Sequence, residues 1–521
     1  MKRIEAKPWP CRESEPTSDW CLFVREIEEL IKQRNLQMTT LAKGVGAPST
    51  RDWNWESIDW KTVWYRVNKL QLRIAKAIRL GRHNKAKALQ WLLTHSFYAK
   101  LLAVKRVTQN RGKYTPGVDQ IVWRTPRQKM SAVKMLKRRG YHSQPLRRIH
   151  IPKKNGKLRP LGIPTMIDRS QQALHLLALD PIAETQADRN SYGFRQRRSA
   201  HDAIEQCFKA LAKKQSAQWI LEGDIKSCFD EISSEWLLSH VTMDKHILKQ
   251  WLEAGFIEKG TFHHTTRGTA QGGVISPTTA NIALDGFEEA IKRISAPGDK
   301  LNFVRYADDW ICTAASEEIL KQKVLPTAIK FLEERGLEIS KEKTIITHID
   351  EGFDFLGFNI RKYNNKLLIK PSKRGVKVFL NNIRAVIHKR RADKTEALIK
   401  TLNPKIKGWV NYYRHSVAKQ TFSYIDANIF RMLWKWAKRR HPNKGAKWVK
   451  NKYFIRQGQR NWCFFSKIKG KKNDIILLNS AAKTRIKRHV KIRAEATPYD
   501  PKFKEYFYER SLRLKKKNET Q

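Results

Sequence analysis

The sequence predicts an α+β protein whose middle mixes strands with helices and whose C-terminal part is helical and basic. Short apolar runs alternate with helical patterns as far as about residue 370, which is typical of an α/β or α+β arrangement. From about residue 372 the strand signals thin out, and basic amphipathic helices rich in Trp and Tyr continue to about residue 465. The tail from residue 483 is basic again.

The charge of the chain indicates a polyanionic partner. Its 521 residues include 104 Lys and Arg against 49 Asp and Glu, which gives a formal net charge of +55 at pH 7. A charge of this size repels itself unless a polyanion neutralises it, so a nucleic acid is the expected partner. The length allows about three or four domains, and the 17 Trp, 14 Tyr and 21 Phe argue against wholesale disorder.

Several other protein classes are disfavoured. The six cysteines are scattered without a C-x-x-C pair, which argues against a zinc site or a secreted disulfide scaffold and favours reduced thiols. Residues 1–20 lack the apolar segment of a signal peptide, and no run of 18 apolar residues suggests a membrane helix. We therefore expect a cytoplasmic protein without a membrane partner.

The first 110 residues divide into an extension and a helical region. Residues 1–50 contain several Pro and Gly around one helical pattern at 22–36, which predicts a loosely attached extension. In residues 52–110 an apolar stripe with spacings of 4, 3, 4 and 3 predicts a helix. The stripe consists of Val63, Val67, Leu70, Ile74 and Ala77. A second face is basic, and either RNA contact or simple solvation accounts for it. Its residues are Arg66, Lys69, Arg73 and Lys76.

A basic strand pair follows at residues 147–164. The segment RRIHIPKKNGKLRPLGIP reads as two strands that meet at the Asn155-Gly156 turn. Residues 168–180 then predict a helix. The turn between the strands therefore carries a cluster of positive charge.

The strongest signal for chemistry is the segment FVRYADDWICT at residues 303–313. Apolar residues run into Asp308 and Asp309 and resume at once, which predicts a β-hairpin with two carboxylates at its tip. Two like charges about 5 Å apart cost roughly 3 kcal/mol at an effective dielectric constant of about 20. A divalent cation between them removes that cost.

A third carboxylate lies upstream. An apolar strand that begins at Trp219 ends at Asp224. A site for two-metal phosphoryl transfer needs a carboxylate from a second strand, because one hairpin cannot surround two Mg²⁺ ions about 3.5–4 Å apart. Taken alone, Asp224 is equally consistent with a helix N-cap or a turn residue, and its pairing with the Asp308 hairpin favours the metal site.

A glycine-rich loop separates the two acidic segments. Gln271-Gly272-Gly273 gives a permissive backbone, and Ser276-Pro277 then opens a helix. Two adjacent glycines often mark no more than a turn. The order of the segments along the chain is more informative than the glycine pair alone. An Asp-bearing strand comes first, a glycine loop with a helix follows, and an Asp-Asp hairpin comes last.

This order resembles the fingers and palm of reverse transcriptases. The fuller set of motifs resembles the group II intron-encoded reverse transcriptase/maturase family over about residues 52–465. The motifs are RPLGIPTMIDRSQQAL, SYGFRQRRSAHDAI, TAQGGVISPTTANIAL, RYADD and FDFLGFNI.

The resemblance implies a right-hand polymerase followed by a helical thumb/maturase domain and a basic tail. The implied divisions are an extension (1–50), N-terminal helices and fingers (51–215), a palm (216–371), a thumb/maturase domain X (372–465) and a basic C-terminal DNA-binding region (466–521). The implied activity is RNA-directed DNA synthesis together with intron splicing and retrohoming by target-primed reverse transcription.

The resemblance also assigns roles in the active site. It implies that Asp224 and Asp308 bind two Mg²⁺ ions together with the carbonyl of Ile225, and that Asp309 supports them. The ring of Phe229 would lie under the deoxyribose and exclude a 2′-hydroxyl, although a core Phe also fits the sequence. Lys153, or an adjacent Lys, and Arg159 would contact the incoming dNTP, and Gln271 would lie near the nascent base pair. Lys343 is a possible general acid for the leaving pyrophosphate, and a solvated lysine is as consistent with its sequence context.

The thumb/maturase part implies contacts to intron RNA. Its motifs interleave aromatic residues with Lys and Arg, and most of the aromatic residues are expected in the core. The candidate RNA contacts there are Lys407, Arg414, Lys435, Arg439 and Lys447, in addition to Arg66, Lys69 and Arg73. FDFLGF at residues 353–358 resembles the grip under the primer end, and a core strand is the plainer interpretation.

One departure from the family concerns the end of the chain. The segment HVKIRAEATPYDP resembles the approach to a zinc-bearing HNH endonuclease, but no Cys or His cluster follows it. We therefore expect no DNA-cleaving domain and a primer from elsewhere. The expected partners are intron RNA, an RNA template with a DNA primer, target DNA and dNTPs. The alternatives are a splicing-only maturase with a vestigial polymerase site and a reverse transcriptase of another system.

Overall fold

The structure is a computed structural model that describes residues 54–152, 158–468 and 474–519, with side chains as far as residue 513. The extension at 1–50 with its helical pattern lies outside the described residues, and so does Lys153 at the tip of the basic strand pair. No helix in the described ranges is both long and apolar enough to cross a bilayer.

The described chain has eighteen α-helices and fourteen strands. The helices are α1 Trp60–Arg79, α2 His83–His95, α3 Phe97–Gln109, α4 Pro126–Met135, α5 Met166–Gln186, α6 Ala200–Leu211, α7 Cys228–Glu231, α8 Ser234–His240, α9 Lys245–Leu252, α10 Ser276–Leu284, α11 Phe287–Arg293, α12 Glu317–Ile319, α13 Leu325–Glu333, α14 Lys373–Lys389, α15 Thr395–Tyr413, α16 Lys419–Arg440, α17 Ala446–Tyr453 and α18 Lys504–Glu519. The strands are β1 Leu146–Pro152, β2 Leu158–Ile163, β3 Trp219–Asp224, β4 Phe256–Glu258, β5 Thr261–His263, β6 Asn302–Tyr306, β7 Asp309–Ala314, β8 Ile345–His348, β9 Phe353–Phe355, β10 Phe358–Tyr363, β11 Lys366–Pro371, β12 Phe454–Gln457, β13 Arg460–Lys467 and β14 Ile475–Leu477. Short 3-10 helices lie at 55–57, 111–114, 481–483 and 501–503, and a π-helical turn lies at 320–324.

Helices α1 to α4 pack with α5 around a core of their own. Asp59 caps α1 by accepting a hydrogen bond from the backbone N–H of Lys61 at 3.0 Å, which satisfies one of the free donors at the helix start. The predicted apolar stripe is confirmed, since Val63 and Ile74 are fully buried and Leu70 is partly buried. The basic face of α1 is exposed along its whole length.

The first sheet has the strand order β2-β1-β4-β5. The predicted strand pair is confirmed, because β1 and β2 pair in antiparallel register from Arg147 opposite Ile163 to Pro152 opposite Leu158. The predicted helix at 168–180 is confirmed as the middle of α5, which begins after the N-cap Thr165.

The second sheet, which we call the palm sheet, has the strand order β6-β7-β3-β8 with antiparallel neighbours. One face of this sheet packs against α8 to α11 and α13 in a second core, and Ile220, Val304 and Ile311 on the other face belong to the core of the C-terminal part. The predicted hairpin and the predicted Asp-bearing strand are both present, and they are neighbours in one sheet. The fold is therefore the predicted α+β arrangement.

The C-terminal part is less helical than the sequence predicts. Helices α14 to α17 are present, but β12, β13 and β14 form a three-stranded sheet beside them. The strands were missed because β13 interleaves charged and aromatic residues and β14 has only three residues, so neither shows a clean alternation. The sheet contributes Phe454 and Phe464 to the core of this region.

The basic tail folds back on the N-terminal half of the chain. Asp202 on α6 accepts hydrogen bonds from the backbone N–H of Ile492 at 2.7 Å, from His489 Nε2 at 2.9 Å and from Arg510 at 3.0 Å. The hydroxyl of Tyr499 donates to Asp180 on α5 at 2.6 Å. Some tail charges are thus used within the molecule, and DNA binding by the tail stays a prediction.

Candidate active site

Three carboxylates meet at one end of the palm sheet. The register of β3 and β7 places Asp224 directly opposite Asp309, and β6 pairs with β7 so that Tyr306 also lies opposite Asp309. Asp308 therefore occupies the tight turn between β6 and β7, next to the end of β3. The sequence predicted this convergence from two separate strands.

The turn is held from below by a buried arginine that sequence reasoning missed. The guanidinium of Arg305 is fully buried and donates to Asp285 at 2.6 Å and to Asn281 Oδ1 at 3.1 Å. It also approaches the carbonyl of Ala307, at 3.5 Å, and Ala307 has a left-handed backbone with φ of +57°. The only signal in the sequence is that Arg305 is a charged residue within the predicted strand, just before the tight turn.

The chain that crosses beside the turn must come very close to it. A Cβ on Gly193 would lie 2.4 Å from the backbone nitrogen of Ala307, so only glycine fits there. Asn281 also donates to the carbonyl of Gly193 at 2.9 Å. The segment around Gly193 and the acidic turn are thus packed backbone to backbone.

The carboxylates repel one another. Burial and the neighbouring Asp224 raise the pKa of Asp308, while Arg159 and Lys343 oppose the rise. Asp309 keeps contact with solvent, yet partial burial and the charges of Asp308 and Asp224 raise its pKa to about 7. A cation placed among these oxygens would relieve this repulsion.

A cation from the protein already lies in the cluster. The ammonium of Lys343 donates a hydrogen bond to Asp224, and this bond raises the pKa of Lys343. The loop that carries it is tied to the strand end by the backbone N–H of Ser340, which donates to the Asp224 carbonyl at 2.8 Å. Among the described residues no three His, Cys, Asp or Glu side chains are already arranged to coordinate an ion. The oxygen donors nevertheless suit Mg²⁺, which takes few protein carboxylates.

Phe229 lies just beyond the end of β3, in the short helix α7. It is half-buried at the edge of the palm core, and its ring packs edge-on to Phe194 with 6.2 Å between centroids. Its carbonyl accepts a hydrogen bond from Thr269, at the start of the glycine loop. Phe229 is therefore neither fully buried in the core nor fully exposed on the surface.

The glycine loop joins the first sheet to the palm. The carbonyl of Gln271 accepts from Gly162 in β2 at 2.8 Å, and its side chain donates to Asp230 in α7 at 3.1 Å. Gly272 has φ of +121°, and a Cβ there would lie 2.6 Å from the Gly162 carbonyl. This junction brings β2 towards the palm, where exposed Arg159 acts on the pKa of Asp308.

The other predicted residues fall into two groups. Lys407, Lys435, Arg439 and Lys447 are exposed on the C-terminal helices, as Arg66, Lys69 and Arg73 are on α1. Arg414 is a correction, because only 6% of it is exposed and its carbonyl accepts a hydrogen bond from Lys487 in the tail. This bond ties Arg414 to the tail, a contact that the sequence could not reveal. Ile225 is also buried, as expected for a residue that could offer only its carbonyl.

The aromatic residues of the C-terminal part are mostly in the core, as expected. Trp436 and Tyr413 are buried, and Trp409 packs against Phe379 with 4.8 Å between ring centroids. In the FDFLGF segment the three phenylalanines are buried in the same core. The plainer interpretation of that segment as a core strand therefore accounts for these rings.

Three family models and several known proteins match this chain. Family models match for the N-terminal domain of reverse transcriptase at residues 55–136, for reverse transcriptase (RNA-dependent DNA polymerase) at 151–360 and for the group II intron maturase-specific domain at 376–454. Protein YkfC of Escherichia coli is 33% identical over 310 residues, which are 50% of this chain and 80% of that protein. The group II intron-encoded protein LtrA of Lactococcus lactis is 27% identical over 407 residues, 65% of this chain and 65% of LtrA. A telomerase structure from Candida albicans aligns over 60% of this chain and 64% of that chain with a TM-score of 0.35 and 13% identity.

Proposed function

The chain belongs to the group II intron-encoded reverse transcriptases, and from this membership we propose that it copies intron RNA into DNA at the Asp224/Asp308/Asp309 cluster and also binds the intron RNA to assist its splicing. The observation that carries the proposal is the register that sets Asp224 opposite Asp309 with Asp308 in the adjacent turn. The substrates would be an RNA template with a DNA primer and dNTPs.

Asp224, Asp308 and the carbonyl of Ile225 would hold two Mg²⁺ ions, with Asp309 as the supporting carboxylate. When bound, the ions would supply polarisation of the primer 3′-hydroxyl and neutralisation of the triphosphate. Burial and the charges of the neighbouring aspartates raise the pKa of Asp308 and Asp309, and this supports the assignment, since a divalent cation would lower the repulsion among them. The contact between Lys343 and Asp224 supports it too, because a positive charge is already stable there.

Other residues of the chain would orient the dNTP. Arg159 and Lys153 would bind the triphosphate, and Gln271 would lie beside the nascent base pair. The primer 3′-hydroxyl would lose its proton to solvent as its oxygen bonds to the α-phosphorus and the bond from that phosphorus to the pyrophosphate oxygen breaks. Lys343, within reach of the acidic cluster, would give its proton to the leaving pyrophosphate and recover one from solvent.

The ring of Phe229 would close the space below the sugar. A ribonucleotide carries a 2′-hydroxyl that this ring would exclude, so DNA rather than RNA would be made. The half-buried position of the ring, five residues beyond Asp224 at the end of β3, supports this role.

RNA binding for splicing would use the exposed cations outside the palm. These are Lys407, Lys435, Arg439 and Lys447 on the C-terminal helices and Arg66, Lys69 and Arg73 on α1. A groove of about 400 Å³ on the N-terminal part adds three cations and two aromatic rings, which suits single-stranded RNA. Its lining residues are Thr108, Lys113, Tyr114, Trp123, Arg124 and Lys129.

One preparation can test both activities. We expect DNA synthesis from an RNA template with dNTPs and Mg²⁺, and faster splicing of the cognate intron. The variant Asp308→Ala should lose synthesis and keep the splicing activity, because the RNA-binding surface lies elsewhere. Splicing assistance without any DNA synthesis by the unaltered protein would instead support a maturase with a vestigial polymerase site.

A further inference from the structure

Phe194 is an exposed aromatic residue in a strained backbone conformation. It has φ of +57°, a region that bulky residues rarely adopt, and 55% of the residue is exposed. Strain of this kind costs of the order of 1–3 kcal/mol and persists only where the surroundings impose it. An exposed apolar ring in such a position calls for a reason other than core packing.

The residues on both sides of Phe194 are fixed. The backbone N–H of Tyr192 donates to the Arg305 carbonyl at 2.9 Å, and Gly193 packs against Ala307. On the other side, Arg195 forms an ion pair with Glu184 at 2.9 Å, with both side chains 4% exposed. The chain is therefore anchored to the strand that carries the acidic turn and to helix α5, and Phe194 is presented between the two anchors.

The ring of Phe194 contacts one aromatic residue of the site. Its centroid lies 6.2 Å from that of Phe229, and the rings meet edge to face at 79°. This is a favourable aromatic geometry. Because Phe229 is only half-buried, the palm core covers one part of its ring and Phe194 covers another.

We propose that Phe194 is a positioning residue for nucleotide selection, which holds the ring of Phe229 in the orientation that excludes a 2′-hydroxyl. The inference rests on the proposed function, because it assumes that Phe229 faces the sugar of the incoming nucleotide. Phe194 acts through Phe229. Its neighbours Tyr192 and Gly193 are anchored to Arg305 and Ala307, and these contacts couple the position of the Phe229 ring to that of Asp308. Loss of the Phe194 ring leaves Phe229 free to rotate, so the site admits ribonucleotides more readily.

The test measures single-nucleotide incorporation of dCTP and of CTP opposite guanine in an RNA template, with kcat and KM determined for each. The main variant is Phe194→Asn, because asparagine tolerates a left-handed backbone and carries no ring. We expect the ratio of kcat/KM for dCTP to that for CTP to fall about three- to tenfold, the effect of losing one aromatic pair. The change should appear mainly as a lower KM for CTP. Phe194→Tyr keeps the ring and should keep the ratio.

Two controls make the result specific. Phe208→Ala removes another exposed phenylalanine, on α6, and should leave the ratio unchanged. If Phe194→Asn lowers incorporation of both nucleotides equally, the residue is merely structural and the proposal is wrong. If Phe229→Ala lowers the ratio of kcat/KM for dCTP to that for CTP while Phe194→Asn does not, Phe229 still selects against ribonucleotides and the inference about Phe194 fails. If the unaltered protein makes no DNA, or if Phe229→Ala leaves the ratio unchanged, the proposed function itself fails.

Discussion

Asp224 on β3 lies directly opposite Asp309 on β7, so two carboxylates face each other across adjacent antiparallel strands with a third, Asp308, in the turn beside them. Like charges directly opposite in a sheet are destabilising, so this pairing is a poor choice for stability alone. A function that needs the carboxylates together explains why the sheet carries them.

Neutralising the turn carboxylate should stabilise the protein while removing its activity. Asp308→Asn removes one charge from a cluster in which burial and Asp224 raise the pKa of Asp308. In buffer without divalent cations at pH 7.5, we expect the free energy of unfolding to rise, because the buried charge and its repulsion with Asp224 are removed. Chemical denaturation measures this, and primer extension should show no synthesis. A less stable variant would mean that the carboxylate is needed for folding.

The close approach beside the turn should not tolerate a methyl group. Gly193→Ala would place a carbon 2.4 Å from the Ala307 nitrogen, so the acidic turn must shift and DNA synthesis should fall at least about 100-fold. Gly445→Ala is the matched control, since a Cβ there meets no atom within 4 Å. Primer extension and melting temperature would be measured on both variants. Full activity of Gly193→Ala would show that the turn is not held as described.

The buried pair below the turn should be sensitive to the loss of either member. Asp285→Ala leaves the fully buried guanidinium of Arg305 without its ion-pair partner at 2.6 Å. Breaking a buried pair in this way costs about 3–5 kcal/mol. The melting temperature should therefore fall markedly, whereas Glu289→Ala, which breaks the exposed pair with Arg293, should change it little. Equal melting temperatures for both variants would contradict the assigned role.

The contact between the tail and α5 predicts a pH-dependent gain of stability. Burial and the nearby Glu184 raise the pKa of Asp180 to about 6, although Tyr499 and Gln196 donate hydrogen bonds to it. A carboxyl group whose pKa is higher in the folded than in the unfolded chain loses stability as the pH rises from about 4 to about 6. Asp180→Asn should therefore stabilise the protein by about 1–2 kcal/mol at pH 8 and by almost nothing at pH 4. The same gain at both pH values would contradict this origin.

Intron RNA binding should depend on salt and on exposed cations of α16. If about ten single-strand phosphates are neutralised, the logarithm of the binding constant should fall by about 7 per decade of salt. Replacing both Lys435 and Arg439 by Ala should reduce that slope by about 1.4. Replacing Lys249 and Lys330, exposed cations of the palm region, should leave the slope unchanged. A nearly flat salt titration of the unaltered protein would exclude a phosphate-binding surface.

The parts of the site that the sequence reveals are those with strong local patterns. Asp308 and Asp309 interrupt an otherwise apolar segment, and Asp224 ends an apolar strand, so both elements and their pairing could be predicted. The apolar stripe of α1 is equally local. The strands, their pairing and the helix are confirmed because each depends on the residue pattern of one or two elements.

The remaining parts depend on contacts between residues far apart in the chain. In the sequence Arg305 is one more strand residue, and only the structure shows its hydrogen bonds to Asp285 and Asn281. The sequence predicts that Arg414 is exposed, whereas in the structure it is buried and its carbonyl is bonded to the tail. The pairing of Phe194 with Phe229 likewise joins residues 35 positions apart and leaves no period in the sequence.

The most direct test of the central claim is primer extension on an RNA template with dNTPs and Mg²⁺, comparing the unaltered protein with Asp308→Ala. We expect full-length DNA from the unaltered protein and none from the variant, with both proteins folded and binding intron RNA equally. Equal DNA synthesis by Asp308→Ala would contradict the assignment of the acidic cluster as the polymerase site.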